Sequence, residues 1–132
     1  MEETAMRRSS RGFTLIELLV VVVIIGVLAA IAIPKFQSTK GKANAASLKS
    51  DLRNLATAQE GYFYEHLTYS SNTAALNVQL TPGVTITWGT VGSAGWSAKV
   101  THPLAYPIEC SIFMGSVPPM PPATAEGQLF CQ

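Results

Sequence analysis

The hydrophobic pattern changes twice along the chain. Residues 18–33 (LLVVVVIIGVLAAIAI) are apolar without interruption, and counted from Phe13 the stretch reaches about the 20 residues that span a hydrocarbon layer. Beyond Pro34 the pattern becomes amphipathic. Leu48, Leu52, Leu55, Ala56, Tyr62 and Phe63 recur at helical spacing with Lys49, Arg53 and Glu60 between them, as expected of a helix that packs one face on a soluble domain. A single helix over 13–65 would measure about 80 Å at 1.5 Å per residue, with its first half projecting as a stalk. Pro34 removes one backbone hydrogen bond and crowds the preceding turn, so a kink is expected there.

After a polar loop over 69–75 the period shortens to two. Strands are expected at 84–88, 96–102 and 108–114. Val84, Ile86 and Trp88 share one face against Thr85 and Thr87, while Trp96, Ala98 and Val100 alternate with Ser97, Lys99 and Thr101. The linkers containing Gly92, Ser93 and Gly95, then Pro103 and Pro107, are short enough for an antiparallel meander. The segment 115–132 holds Pro118, Pro119, Pro121 and Pro122 and reads as an irregular, stiff surface loop that doubles as a cap over a sheet edge. The fold class is therefore α+β: a long N-terminal helix, membrane-spanning in its first half, packed on a small antiparallel sheet.

Composition narrows the function classes. With 132 residues, and part of them in the apolar run, there is room for one small head. A net charge of +1 without a long Lys/Arg block gives no electrostatic footprint for nucleic acid. Cys110 and Cys131 are the even count expected of a disulfide in an oxidising compartment, where closing the loop would stabilise by about 3 kcal/mol; two unpaired buried thiols are the alternative. Arg7, Arg8 and Arg11 precede the apolar run, but Lys35, Lys40 and Lys42 follow it closely, so the positive-inside rule nearly ties. The cysteines break the tie by placing the head on the oxidising side.

Ala29, Ala30 and Ala32 offer a small-x-small site for removal of an ordinary secretory signal. Against that stands Glu17, whose charge near a membrane-helix centre would cost about 2.5 to 3.5 kcal/mol on the insertion scale. A disposable signal has no use for it, although snorkelling to the cytoplasmic interface is a purely structural explanation. Catalysis has few candidates. His66 and His102 are the imidazoles and Asp51 the sole aspartate; Asp51 is expected on the charged side of the helix and the histidines at the surface or an interface. No metal-ligand pattern and no glycine-rich phosphate loop is present, so no enzyme activity, metal, cofactor or direct nucleotide binding is expected.

The run Arg11-Gly12-Phe13-Thr14-Leu15-Ile16-Glu17-Leu18-Leu19-Val20, continuing to Pro34, closely resembles the N-terminal motif of type IV pilins and their relatives. The resemblance implies cleavage between Gly12 and Phe13 by a membrane prepilin peptidase on the cytoplasmic side, with N-methylation of Phe13 and retention of the helix. Met6 is an alternative start to Met1, giving a shorter basic leader without Glu2 and Glu3. The implied organisation is a leader at 1–12, a transmembrane and filament-core helix at 13–34 and a globular head at 35–132, its C-terminal loop closed by Cys110 and Cys131.

The resemblance also implies that Glu17 pairs with the amino terminus of Phe13 in a neighbouring subunit, so that pairing selects axial register. It further implies that the stretch from Gly26 to Pro34 unwinds on assembly, although Gly26 equally suits close helix packing. The expected partners are further copies in a helical filament, minor pilins, the peptidase, the assembly machinery and, before assembly, the inner membrane. The expected location is inner membrane with a periplasmic head, then extracellular pilus. A pseudopilin of a type II secretion system shares the whole motif. Such proteins more often carry a calcium site near the C-terminus, where Glu109 and Glu126 are isolated here. A monomeric signal-anchored periplasmic domain, for which Glu17 and the Gly12–Phe13 junction would be accidental, is the rival of a different class.

Overall fold

A computed structural model describes residues 12–132. Arg7, Arg8 and Arg11 of the leader, and both candidate starts, lie outside the described residues. The chain divides into two units, Met1–Phe36 and Gln37–Gln132. Helix α1, Leu15–His66, runs through both and includes Pro34. Pro34 leaves the Ala30 carbonyl without its usual donor, a cost that the surrounding strong helix formers absorb.

In the first unit every large apolar side chain from Leu15 to Ile33 is exposed. The helix is long and apolar enough to cross a membrane.

In the second unit α1 presents Ala45, Leu48, Asp51, Leu52, Leu55 and Gln59 as its buried stripe. Four antiparallel strands follow in spatial order β1-β2-β3-β4: β1 Thr85–Gly92, β2 Gly95–Thr101, β3 Glu109–Gly115 and β4 Phe130–Cys131. Leu48, Leu52 and Leu55 pack with Leu76, Trp96, Ala98, Val100, Cys110 and Ile112 into the main core. The alternation expected of Trp96, Ala98 and Val100 is thus realised, with all three fully buried.

The opposite face of the sheet is covered too. Phe113, Val117 and Ala123 form a second small cluster. The buried Ser111 hydroxyl donates to the Met120 carbonyl at 2.7 Å and accepts from the Ala123 N–H at 2.8 Å. The proline-rich segment therefore lies over the sheet as a lid and does not remain loose.

Several expectations need correction. The segment 115–132 is not wholly irregular: its end forms β4, in which Cys131 lies opposite Cys110 and Phe130 opposite Ser111. Cys110 and Cys131 are bonded, and Gln132 and Glu109 exchange both backbone hydrogen bonds. A two-residue strand is invisible to period counting because the cross-link and the ladder, not the local sequence, create it.

β1 also runs further than expected, to Gly92, through a one-residue bulge between Trp88 and Val91. Within the bulge the Thr90 N–H donates to the Ser97 hydroxyl at 3.1 Å, and a Cβ on Gly89 would fall 2.2 Å from that oxygen, so glycine alone fits.

The buried polar residues are the larger departure. Asp51 is buried, not on the charged side: its carboxylate accepts from the Thr81 N–H at 3.0 Å and the Thr81 hydroxyl at 3.1 Å. Gln59 is fully buried and brackets Ser70, donating to its carbonyl at 2.6 Å and accepting from its N–H at 3.0 Å. His102 is buried rather than superficial. Its Nδ1 accepts from the Leu104 N–H, which assigns the proton to Nε2, and that nitrogen faces the Pro82 carbonyl at 3.2 Å. His66 is exposed and stacks on Tyr62. Burial first, then Glu60 and Glu126, push the Tyr69 phenol above its ordinary pKa; it stays protonated and donates to Glu60.

These bonds predict that Asp51→Ala, which leaves the Thr81 donors unpaired, destabilises the head by about 1 to 3 kcal/mol. Thermal unfolding of the detergent-solubilised chain measures it, and an unchanged midpoint would refute the role.

Candidate functional site

The N-terminal end of α1 is built by a reciprocal pair of hydrogen bonds. Thr14 precedes the first helical residue, and its carbonyl accepts from the Leu18 N–H at 3.3 Å, which makes it the N-cap. Its hydroxyl oxygen lies 3.3 Å from the Glu17 N–H. Glu17 reaches back: Oε2 accepts from the Thr14 N–H and from the Thr14 hydroxyl, both at 2.8 Å. This is a capping box, in which the residue before the helix and the third residue inside it satisfy each other's orphan donors. Thr14-x-x-Glu17 ahead of an apolar run is its sequence signature.

The cap changes what Glu17 can do. A carboxylate has two oxygens and accepts about four hydrogen bonds. Oε2 is committed to Thr14, whereas Oε1 has no partner among the described residues. Glu17 also stands in the first helical turn, where the aligned peptide dipoles favour a negative charge. It is therefore an oriented anion with one free face at the border of the exposed apolar surface that begins at Leu15. Phe13, immediately before the cap, is itself 85% exposed.

Gly26 and Pro34 both lie inside α1. A Cβ built on Gly26 meets nothing within 4 Å, so in the single chain nothing requires glycine there. The expected unwinding between Gly26 and Pro34 concerns an assembled state. Cys110 and Cys131 belong to the head and hold its C-terminal strand.

In the head, Glu109 pairs with Lys99 at 2.9 Å, and Glu126 accepts from the Gly115 N–H at 2.7 Å; each acidic residue near the C-terminus has a structural partner. Among the described residues no three His, Cys, Asp or Glu side chains gather as an ion-binding group. An open groove of about 740 Å³ is bordered by Lys49, Arg53 and residues 127–131.

Comparison with known proteins places this end of the chain in context. Residues 7–33 match the family model described as the prokaryotic N-terminal methylation motif. The chain is 51% identical over 61 residues to the type IV major pilin protein PilA of Myxococcus xanthus, covering 46% of this chain and 28% of that protein. It is 40% identical over 70 residues to the type II secretion system core protein G of Pseudomonas aeruginosa, covering 53% and 49%. A fimbrial protein of Pseudomonas aeruginosa is 36% identical over 94 residues, covering 71% and 61%. The chain thus spans from about a quarter to about three-fifths of the length of these relatives.

The capping geometry predicts that Thr14→Val, which removes both roles of the hydroxyl while keeping shape, costs the helix end about 1 kcal/mol. Amide hydrogen exchange over residues 15–18 in detergent micelles would rise several-fold. Unaltered protection would show that the cap contributes nothing.

Proposed function

We propose, from its kinship with type IV pilins and type II secretion core proteins, that this chain is a structural subunit of a type IV pilus filament, made as a prepilin. The observation that carries the proposal is the conjunction at the start of α1. A methylation motif leads into an uncovered apolar helix whose acidic residue is oriented by its own cap. Cleavage between Gly12 and Phe13 creates a free amino group, and methylation of Phe13 leaves it basic. A cation at a helix N-terminus opposes the helix dipole, so the amine gains from an external anion. The free Oε1 of Glu17 on a neighbouring copy supplies one.

Both charges are costly in a low-dielectric helix bundle when alone and compatible when paired. Pairing therefore favours the copy in axial register over one slid along the filament. Before assembly the same helix rests in the inner membrane with the head on the periplasmic side, where the Cys110–Cys131 bond is stable. Extraction exchanges lipid contacts for contacts with Val, Ile, Leu and Ala of other copies. Local unwinding between Gly26 and Pro34 would let the rod adapt to its neighbours. In this reading the chain catalyses nothing; peptidase and assembly machinery are separate proteins that act on it.

Similarity to type II secretion core protein G favours a second reading, a pseudopilin, which uses the same helix end in the same way. The isolation of Glu109 and Glu126 leans the choice toward a pilin, since among the described residues no three acidic, His or Cys side chains gather to hold an ion.

Two results test the proposal. Mass spectrometry of filaments sheared from producing cells is expected to find a chain starting at N-methylated Phe13 with the Cys110–Cys131 bond intact. An uncleaved chain, or one cut near Ala29 to Ala32, would sink the prepilin reading, and a processed chain missing from the sheared fraction would favour the pseudopilin.

Glu17→Gln separates capping from charge, because glutamine still completes a capping box. The expected outcome is normal membrane insertion with filament yield reduced by at least about tenfold, the factor that 1.4 kcal/mol of lost pairing produces. Normal filaments from Glu17→Gln would assign the residue to capping alone.

A further inference from the structure

Apart from the apolar first unit, the large hydrophobic side chains left exposed fall mostly at two places on the head. Tyr64 and Leu67 are 89% and 72% exposed at the C-terminal end of α1. Leu104 and Tyr106 are 62% and 87% exposed on and just after the short helical turn Pro103–Ala105. That turn lies beside the other end of the head's helix, since a Cβ on Gly41 would sit 3.7 Å from the Leu104 carbonyl.

Two charged residues of opposite sign, Glu65 and Lys42, stand next to Tyr64 and Gly41 in the sequence. The side chain of Glu65, between Tyr64 and Leu67, makes no hydrogen bond or ion pair among the described residues, unlike the paired or hydrogen-bonded Glu60, Glu109 and Glu126. Lys42, next to Gly41, is exposed and likewise has no ion pair among them.

Leu67 carries a second, independent signal. It closes the helix, its N–H donating to the Phe63 carbonyl at 2.8 Å, with φ of +57°. This left-handed position is the one glycine normally fills at a helix end, and a leucine adopts it against steric resistance. Within its own chain the leucine gains little, being mostly exposed. Strain retained at a mostly exposed apolar residue suits a contact made outside the chain.

We propose that the Tyr64–Leu67 end of one copy docks on the Leu104–Tyr106 turn of a second copy, with Glu65 facing Lys42. The inference rests on the filament reading and deepens it by naming a head-to-head contact. Two different patches on one chain that fit each other make a heterologous contact, which builds an open filament wherever its rotation does not close a ring. Lys42 and Glu65 are 23 residues apart on one helix, so copies stacked through them are displaced by roughly 35 Å along it.

The test uses the full chain in producing cells, with sheared filaments quantified against the membrane-held pool. Glu65→Lys and Lys42→Glu, which place like charges across the contact, are each expected to cut filament yield by at least about tenfold. The double charge swap is expected to restore it. Leu67→Gly relieves the backbone strain, so the solubilised chain should melt at an equal or higher temperature while making fewer filaments; that combination distinguishes docking from folding.

If wild-type cells make filaments and the single reversals match them, or if the double swap fails to restore yield, the contact is refuted. If Leu67→Gly assembles normally, the leucine's place in the contact is refuted. Absence of filaments from the wild type would instead overturn the filament reading, and the docking with it.

Discussion

The structure depends on a helix whose apolar side chains its own chain leaves exposed from Leu15 to Ile33. Water is a poor solvent for that surface, and exposed contiguous apolar area on this scale demands a second environment. Two are physically suitable, lipid tails and other copies of the same helix, and both satisfy the side chains about equally. The backbone is content in either, because an α-helix pairs its interior polar groups internally. The choice between lipid and filament therefore cannot rest on hydrophobicity, which nearly cancels in the exchange. It rests on close packing of small and branched side chains and on the few polar groups at the helix end. On the proposed filament reading, one carboxylate can then govern assembly in a segment that is otherwise apolar.

The head meets the opposite demand: it must fold in the same way whatever surrounds the first unit. Its main core is small, and three devices reinforce it. Asp51 and Gln59 clamp the loops around Thr81 and Ser70 onto the helix with hydrogen bonds to backbone groups. Ser111 fixes the proline-rich lid to the far face of the sheet. The Cys110–Cys131 bond holds β4 against β3. Each ties a segment of irregular backbone to a regular element, which is where a small domain most readily opens.

Much of this was legible in the sequence because it follows from periodicity. The apolar run, the Leu48-Leu52-Leu55 stripe and the alternation around Trp96 each repeat a local rule often enough to be read without tertiary information. The buried polar residues obey no such rule. Asp51 and Gln59 occupy positions on the buried stripe, but only the arrival of Thr81 and Ser70, 30 and 11 residues away, makes an apolar environment tolerable for them. The sequence signals their partners no more than it signals β4. The burial of His102 is illegible for the same reason, since it caps the turn at Leu104 and faces the Pro82 carbonyl 20 residues away. The Thr14–Glu17 box was readable, being local and four residues long. Its signal is masked by the cost of a membrane charge, which offers an explanation of Glu17 without reference to Thr14.

The two meanings of Glu17 are better seen as one. A carboxylate recruited only by Coulomb attraction could swing among several rotamers, and the entropy of fixing it would be lost on every pairing. The Thr14 cap fixes Oε2 beforehand and leaves Oε1 without a partner among the described residues, so on the filament reading the ordering cost is met in folding and not in assembly. The same bonds disperse the carboxylate's charge over two donors, which lowers the cost of holding it beside apolar residues before a partner arrives. They also leave it weaker than a fully desolvated anion, so that pairing remains reversible. On the proposed filament reading, a subunit that waits in a membrane and then commits to a register needs an anion stable enough to wait and free enough to choose, and a capped glutamate whose second oxygen has no partner among the described residues satisfies both conditions.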